Sequence, residues 1–193
     1  MNQASGHGIK TIVHLAGVLF LIAFAATLLL TVCNAMTKDR IAMLEQQAET
    51  EAMQAVLPVA ETFEEIPGDG SEVVKHIFCG TRAGDTVGWC VSVTPKGYGG
   101  EINMMVGVSP GGTVAGVKII SMSETPGLGA KASEPSYYEQ YFEQTGPISV
   151  IKSGAPKDNE VVAISGATIT SRAVTDGVNA ALEAVETMGG GQQ

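Results

Sequence analysis

The chain is poor in the residues that most enzymes use for chemistry. It holds three cysteines and three histidines in 193 residues. There is no C-x-x-C pair and no Cys/His cluster at metal-ligating spacing, so the polypeptide itself offers neither a zinc nor an iron–sulfur site. No G-x-S-x-G elbow and no Cys/His nucleophile arrangement occurs, which leaves triad-type hydrolysis unsupported. Basic side chains are scarce: 11 Lys and Arg stand against 20 Asp and Glu, for a net charge of -9. With no Lys/Arg run either, the composition argues against a nucleic-acid partner. The acids are spread from about Glu45 to Glu186, with Asp39 just before them, as on an ordinary soluble surface, and no internal repeat is present.

What the sequence does have is one long apolar run. From Ile12 to Val32 the sole ionisable side chain is His14. As a helix this run is ~30 Å long, the thickness of a bilayer's hydrocarbon core. A cleaved signal peptide would carry a shorter apolar stretch, and Cys33-Asn34-Ala35 is a poor cleavage site. Val32 is too bulky for a lipoprotein box. The expectation is a single uncleaved membrane helix over residues 11–36, behind a short cytoplasmic tail at 1–10. Lys10 and His7 precede the span while Lys38 and Arg40 follow it, so the positive-inside rule does not decide the orientation. A very short N-terminal tail ahead of a long soluble part favours an extracytoplasmic C-terminal domain in a cytoplasmic (inner) membrane.

Beyond the span, Ile41, Leu44, Ala48, Ala52, Ala55 and Val56 recur near helical spacing from Thr37 to about Leu57, and Pro58 ends the pattern. Residues 37–66 therefore read as a helical stalk and linker, closed by the turn-rich Ile66–Glu72. β character follows over 67–188. "EVVKHIFC" and "VGWCVSVT" read as strands, and "EINMMVGVSPGGTVAGVKIISM" reads as a hairpin with Met104, Val106 and Val108 alternating. Gly97, Gly99 and Gly100 mark a loop, Glu134–Gln144 a short helix with Pro135 in its first turn, and Val161–Ile164 a last strand. A final amphipathic helix from about Ser171 to Met188 buries Val174, Val178, Leu182 and Val185, ahead of a frayed tail at 189–193. The sum is an α+β fold: one transmembrane helix and a stalk, then a small domain with a mostly antiparallel sheet and flanking helices.

Few residues in this domain suggest a site. His76, alone in a strand, reads as an ordinary sheet residue. Cys33 lies at the end of the span, whereas Cys79 and Cys90 fall in consecutive strands and stand either as a disulfide or as two buried thiols. "GLGAKA" at Gly127–Ala132 imitates the dinucleotide fingerprint, but Pro126 precedes it and Ser133-Glu134-Pro135 interrupts any helix, so a Rossmann site is rejected. "ISGATITSRAV", Ile164–Val174, is different. Gly166 and Ala167 keep bulk away from a turn crowded with the hydroxyls of Ser165, Thr168, Thr170 and Ser171. Thr170 or Ser171 is positioned to cap the helix that follows. Exposed amides at a helix N-terminus also favour an anion, so the alternatives are a plain cap and a phosphate site.

"AISGATITSRAV", together with "SETPGLGAK" at Ser123–Lys131, resembles the FMN-binding domain of the RnfG and NqrC subunits of membrane-bound, ion-translocating oxidoreductases. The resemblance implies FMN joined through its phosphate to a threonine hydroxyl by a dedicated flavin transferase that uses FAD. Carried onto this sequence, the acceptor is Thr168, with Thr170 the second choice and Ser165, Gly166 and Ala167 in the same turn. Glu124, Thr125, Gly127, Leu128 and Gly129 would lie against the flavin. On this reading Gly127 and Gly129 let the backbone approach the flat ring, and Glu124 and Thr125 hydrogen-bond its polar edge or ribityl chain. The short length and the "TITSRAV" ending look more like RnfG. The implied function is an electron relay in an Rnf-type complex that couples ferredoxin:NAD oxidoreduction to sodium or proton translocation. Other subunits of that complex would be the partners, and one span with one histidine offers no ion path. The alternatives are an NqrC-like subunit of a sodium-pumping NADH:quinone reductase and a flavin-free anchored assembly domain.

Overall fold

The computed structural model describes residues 4–67 and 71–189. The middle of the expected turn Ile66–Glu72, the first residues of the N-terminal tail and nearly all of the C-terminal tail lie outside the described residues. The chain divides into two units, Met1–Gln47 and Ala48–Gln193.

In the first unit every described residue belongs to helix α1 (Ala4–Val56). No proline interrupts it, and its Leu, Ala and Ile side chains surround the axis rather than forming one stripe. Every described side chain from Ile12 to Lys38 is exposed, among them Leu19, Phe20, Leu21 and Leu30. A helix apolar on all sides with nothing packed on it suits lipid rather than water, and it is long and apolar enough to cross a membrane. Two threonines within the apolar run keep their hydroxyls satisfied on the helix itself: Thr27 Oγ1 donates to Ala23 C=O at 2.8 Å and Thr31 Oγ1 to Thr27 C=O at 2.8 Å. That local pairing removes the cost of a bare hydroxyl in an apolar medium.

The second unit starts with the last turns of α1 and continues into a five-stranded antiparallel meander. Its strands are β1 (Thr62–Ile66), β2 (Val74–Arg82), β3 (Asp85–Val93), β4 (Asn103–Val108) and β5 (Val114–Ser121), in that spatial order. Each face of the sheet is covered. Met104, Val106 and Val108 of β4 point to the larger core, where Ile77, Val91, Val117, Val174, Val178 and Leu182 meet them. Met105 points the other way and joins Cys90, Ala52, Met53, Val56 and Leu57 in a second cluster. Gly107 and Gly116 admit the end of α1: a Cβ at Gly107 would come within 2.5 Å of the Val56 carbonyl oxygen, and one at Gly116 within 2.9 Å. The alternation read from β4 is therefore real, but the strand between its apolar positions is buried too.

Two further strands, β6 (Ser149–Ile151) and β7 (Glu160–Val162), pair in parallel. β6 and β1 escaped the sequence reading because each is short and its neighbours supply no alternation. Helix α2 (Pro135–Tyr138) passes into a 3-10 turn at Glu139–Tyr141. Tyr137 and Tyr141 face the core from this segment, with rings 5.9 Å apart edge to face. Helix α3 (Thr168–Gly189) lies on the sheet with Val174, Val178, Leu182 and Val185 inward. It begins at Thr168 rather than Ser171, so Thr170 and Ser171 are not its caps.

The open question of the thiols is settled by register. Phe78 stands opposite Cys90 and Cys79 opposite Trp89. Residues one position out of register point to opposite faces of a sheet, so Cys79 and Cys90 face apart, and all three cysteines are free.

Candidate functional site

The start of α3 is the centre of the site. Its first internal main-chain bond runs from Ser171 N–H to Ala167 C=O at 3.0 Å. The amides of Thr168, Ile169 and Thr170 accordingly have no acceptor within the helix. Gly166, with φ 80, turns the chain sharply just before them, in a left-handed conformation that costs glycine little.

Each hydroxyl of this segment has a separate place. Ser165 is exposed and Thr168 is half-buried. Thr170 is 1 % exposed, and its hydroxyl donates to Glu124 Oε2 at 2.7 Å. Ser171 is fully buried; its hydroxyl donates to Ala167 C=O at 3.0 Å and accepts the Ile164 N–H at 2.9 Å. Ser171 thus staples the incoming strand to the first turn, which is bracing rather than capping. Behind it Thr175 donates to Ser171 C=O at 2.9 Å and meets Tyr141 OH at 2.8 Å, and Tyr141 OH meets Tyr137 OH at 3.0 Å. Burial pushes both tyrosine hydroxyls up from their usual range, so they stay neutral members of this chain of hydrogen bonds. The hydroxyl-rich sequence therefore builds two things, a solvent-facing turn and a buried brace behind it.

Glu124 comes from the loop after β5 and is 8 % exposed. Its Oε1 accepts the N–H groups of Tyr98 at 2.8 Å and Gly99 at 3.0 Å. With Thr170 on Oε2, both oxygens are committed to the protein. The carboxylate clasps loop 97–100 to α3. The glycines around it serve the same end. A Cβ on Gly129 would stand 2.6 Å from Glu124 Oε2 and 2.7 Å from Thr170 Oγ1, and a Cβ on Gly97 would collide with Oε1. Gly129 is small because the carboxylate is there. Gly127, with φ 77, shapes the turn instead.

Between these elements lies a cavity of about 500 Å³ lined by Tyr98, Glu124, Thr125, Leu128, Gly129, Gly166, Ala167, Thr168, Ile169 and Thr170. The structure so brings together eight of the residues singled out from sequence; Ser165 and Gly127 lie just outside the lining. Sequence reasoning missed Tyr98 and Ile169. Tyr98, Leu128 and Ile169 are 71 %, 43 % and 56 % exposed, so three large apolar side chains ring the mouth of one cavity. The aromatic residue set between glycines in "KGYGG" was the available signal for Tyr98; for Ile169 there was none beyond its neighbours. "GLGAKA" forms a 3-10 turn at Gly129–Ser133, not the long helix of a dinucleotide fold. No group of acids, histidines and cysteines suited to a metal occurs among the described residues.

The cavity's size lies in the usual range for small-molecule sites. It combines open helix amides for an anion, an apolar rim for a flat ring and a threonine hydroxyl at the first helical position. These features fit a phosphorylated aromatic cofactor.

Comparison with known proteins agrees with that chemistry. Residues 97–183 match the family described as FMN-binding domain, and residues 1–56 match the RnfG N-terminal region. The chain is 34 % identical to the G subunit of the Na(+)-translocating ferredoxin:NAD(+) oxidoreductase complex of Acetobacterium woodii, over 93 % of this chain and 94 % of the relative. It is 31 % identical to the G subunit of the proton-translocating complex of Clostridium ljungdahlii, over 88 % and 89 %. Among solved structures it resembles the C subunit of the Na(+)-translocating NADH-quinone reductase of Parabacteroides distasonis, with a TM-score of 0.55 and 18 % identity over 74 % of this chain and 92 % of that one. At that identity the likeness is one of fold. The RnfG-type N-terminal region and the near full-length identity to G subunits decide between the two lines of descent: the chain belongs to the family of G subunits of ion-translocating ferredoxin:NAD(+) oxidoreductase complexes.

Proposed function

We propose that this chain is the membrane-anchored flavin relay of such a complex, with FMN joined through its phosphate to the hydroxyl of Thr168. The observation that carries the reading is the cavity in which the Glu124–Gly129 loop, loop 97–100 and the open N-terminus of α3 converge.

Thr168 is the fitting acceptor because it lies at the cavity wall, half-buried and at the first position of α3. Thr170 is poorly placed for that task, since its oxygen is sealed in the clasp with Glu124. Attachment forms a bond between the Thr168 oxygen and the FMN phosphorus of FAD, breaks the pyrophosphate link, releases AMP and frees the hydroxyl proton. A flavin transferase would catalyse it. The amides at the start of α3 hold the phosphate, and the helix dipole favours its charge. Tyr98, Leu128 and Ile169 offer apolar surface to the ring and exclude water from it. When bound, FMN supplies reversible electron uptake, and the protein supplies its position and electrostatic surroundings.

In the complex, two electrons from reduced ferredoxin and one proton convert NAD+ to NADH, and this subunit passes electrons between its redox neighbours. α1 tethers the domain to the cytoplasmic membrane, with residues from Ala48 onward on the extracytoplasmic side. The ion path lies in other subunits: relatives that couple to sodium and to protons resemble this chain about equally, at 34 % and 31 % identity. The test is the mass of the full chain produced beside the transferase. The expected result is a gain equal to one FMN ester, localised by fragmentation to Thr168 in the peptide Ile164–Arg172 and absent from Thr168→Ala. A bare polypeptide mass from cells with an active transferase refutes the reading.

A further inference from the structure

We infer that Glu124 sets the reduction potential of the flavin site, as a fixed buried negative charge that opposes electron uptake beside it. This rests on the reading that the cavity holds FMN. Three observations lead to it. Glu124 lines the cavity and is 8 % exposed. Every hydrogen bond it makes is one it accepts, from Tyr98 N–H, Gly99 N–H and the Thr170 hydroxyl, the pattern of an ionised group. No cation is paired with it: the ion pairs among the described residues are His76–Glu65 and Arg82–Glu61, both at the β1–β2 edge of the sheet.

A charge held by dipoles alone keeps its field, and in a poorly polarisable setting that field acts strongly on neighbours. Adding an electron to a ring in the same cavity places like charge near like charge, so the protein shifts that equilibrium toward the oxidised form. The clasp gives the field a fixed origin. A Cβ at Gly97 or at Gly129 would collide with the carboxylate, so both glycines leave it the space it occupies in the clasp. Glu124 therefore acts as a positioning residue with an electrostatic effect, one that a merely structural part would not have.

The variant that separates charge from shape is Glu124→Gln. Its amide oxygen still accepts from Tyr98 and Gly99, and its amide nitrogen donates to the Thr170 oxygen, so the clasp survives without its charge. A second variant, Thr170→Val, keeps the charge and removes one of its compensating donors. Full-length chains flavinylated in cells are titrated spectroscopically against reference dyes. For Glu124→Gln the expected result is unchanged flavin content and a midpoint moved positive, with the equilibrium against the dye changed about tenfold, ~30 mV for a two-electron couple. Thr170→Val is expected to move the midpoint negative or leave it in place. A flavin-bearing Glu124→Gln chain with the wild-type midpoint or a lower one overturns the inference. So does a folded Glu124→Gln chain without flavin, which would make Glu124 a determinant of attachment. Should Glu124→Gln not fold, a positive shift in Thr170→Val overturns it alone. A wild-type chain without flavin refutes the underlying reading as well, which distinguishes the two failures.

Discussion

Replacing Thr170 with valine removes one hydroxyl and keeps the branched shape of the side chain. In the native fold that hydroxyl donates to Glu124 Oε2 at 2.7 Å, in a pair where Thr170 is 1 % and Glu124 8 % exposed. A hydrogen bond to a charged group contributes roughly 1.5–3 kcal/mol, and a buried oxygen left without a donor costs more than one that water can reach. Oε1 keeps its two amide donors, so the carboxylate is weakened rather than orphaned, and the expected loss is about 2 kcal/mol. For a domain of this size that lowers Tm by ~4–8 °C. The same replacement at half-buried Thr168 should cost within ~0.5 kcal/mol, as substitutions near a surface do. Flavin should behave in the opposite way: Thr170→Val keeps its in-gel fluorescence under ultraviolet light, and Thr168→Val loses it. Thermal melting of the full chain in detergent, run beside the fluorescent gel, reads both properties. A Thr170→Val chain that melts with the wild type removes the clasp from the energetics. A flavin-free Thr170→Val chain beside a flavin-bearing Thr168→Val chain would move the attachment point.

Other perturbations have equally definite outcomes. Gly129→Ala places a Cβ 2.6 Å from Glu124 Oε2, and the overpacking should cost ~1–3 kcal/mol in urea unfolding; an unchanged urea midpoint would show that the loop moves freely. Met104→Ala empties part of the core between β4 and α3, where Met104 is fully buried, and should cost ~2–5 kcal/mol by the same measurement. Burial pushes the Cys90 thiol from 9.0 up to about 12, so in a Cys33→Ser, Cys79→Ser background it should resist a thiol reagent at pH 8 until the chain is unfolded. The same shift has a consequence for stability. The fold keeps this proton more tightly than the unfolded chain does, so the contribution is complete below 9.0 and is lost as pH rises toward about 12. Tyr137 and Tyr141 shift in the same direction; Tm should therefore fall above about pH 9, and a rise there would contradict the burial of these groups.

The parts legible in the sequence were those with a strong period or a distinctive turn. The apolar run of α1, the hairpin of β4 and β5 and the inward stripe of α3 follow from hydrophobic spacing. Both loops of the cavity were legible because Gly, Pro and hydroxyl residues gather there. The start of α3 was misplaced, at Ser171 instead of Thr168, because hydroxyls suggest caps, whereas here Ser171 bonds back to Ala167 and Thr170 bonds across to Glu124. Glu124 itself reads from the sequence as a ligand contact. Its clasp joins residues 26 and 46 positions apart, and no local pattern encodes such a meeting. The free state of Cys79 and Cys90 depended on a strand register offset by one residue, which composition does not reveal.

The end of α1 has a practical bearing. Ala52, Met53, Val56 and Leu57 pack with Cys90 and Met105, so the helix that carries the greasy run also supplies part of the globular half's interior. A fragment trimmed to begin after Leu57 would bare that patch to water and invite precipitation, whereas one begun at Ala48 retains its cover. Where to cut for a detergent-free preparation is thus answered by side-chain packing rather than by the edge of the lipid-soluble stretch.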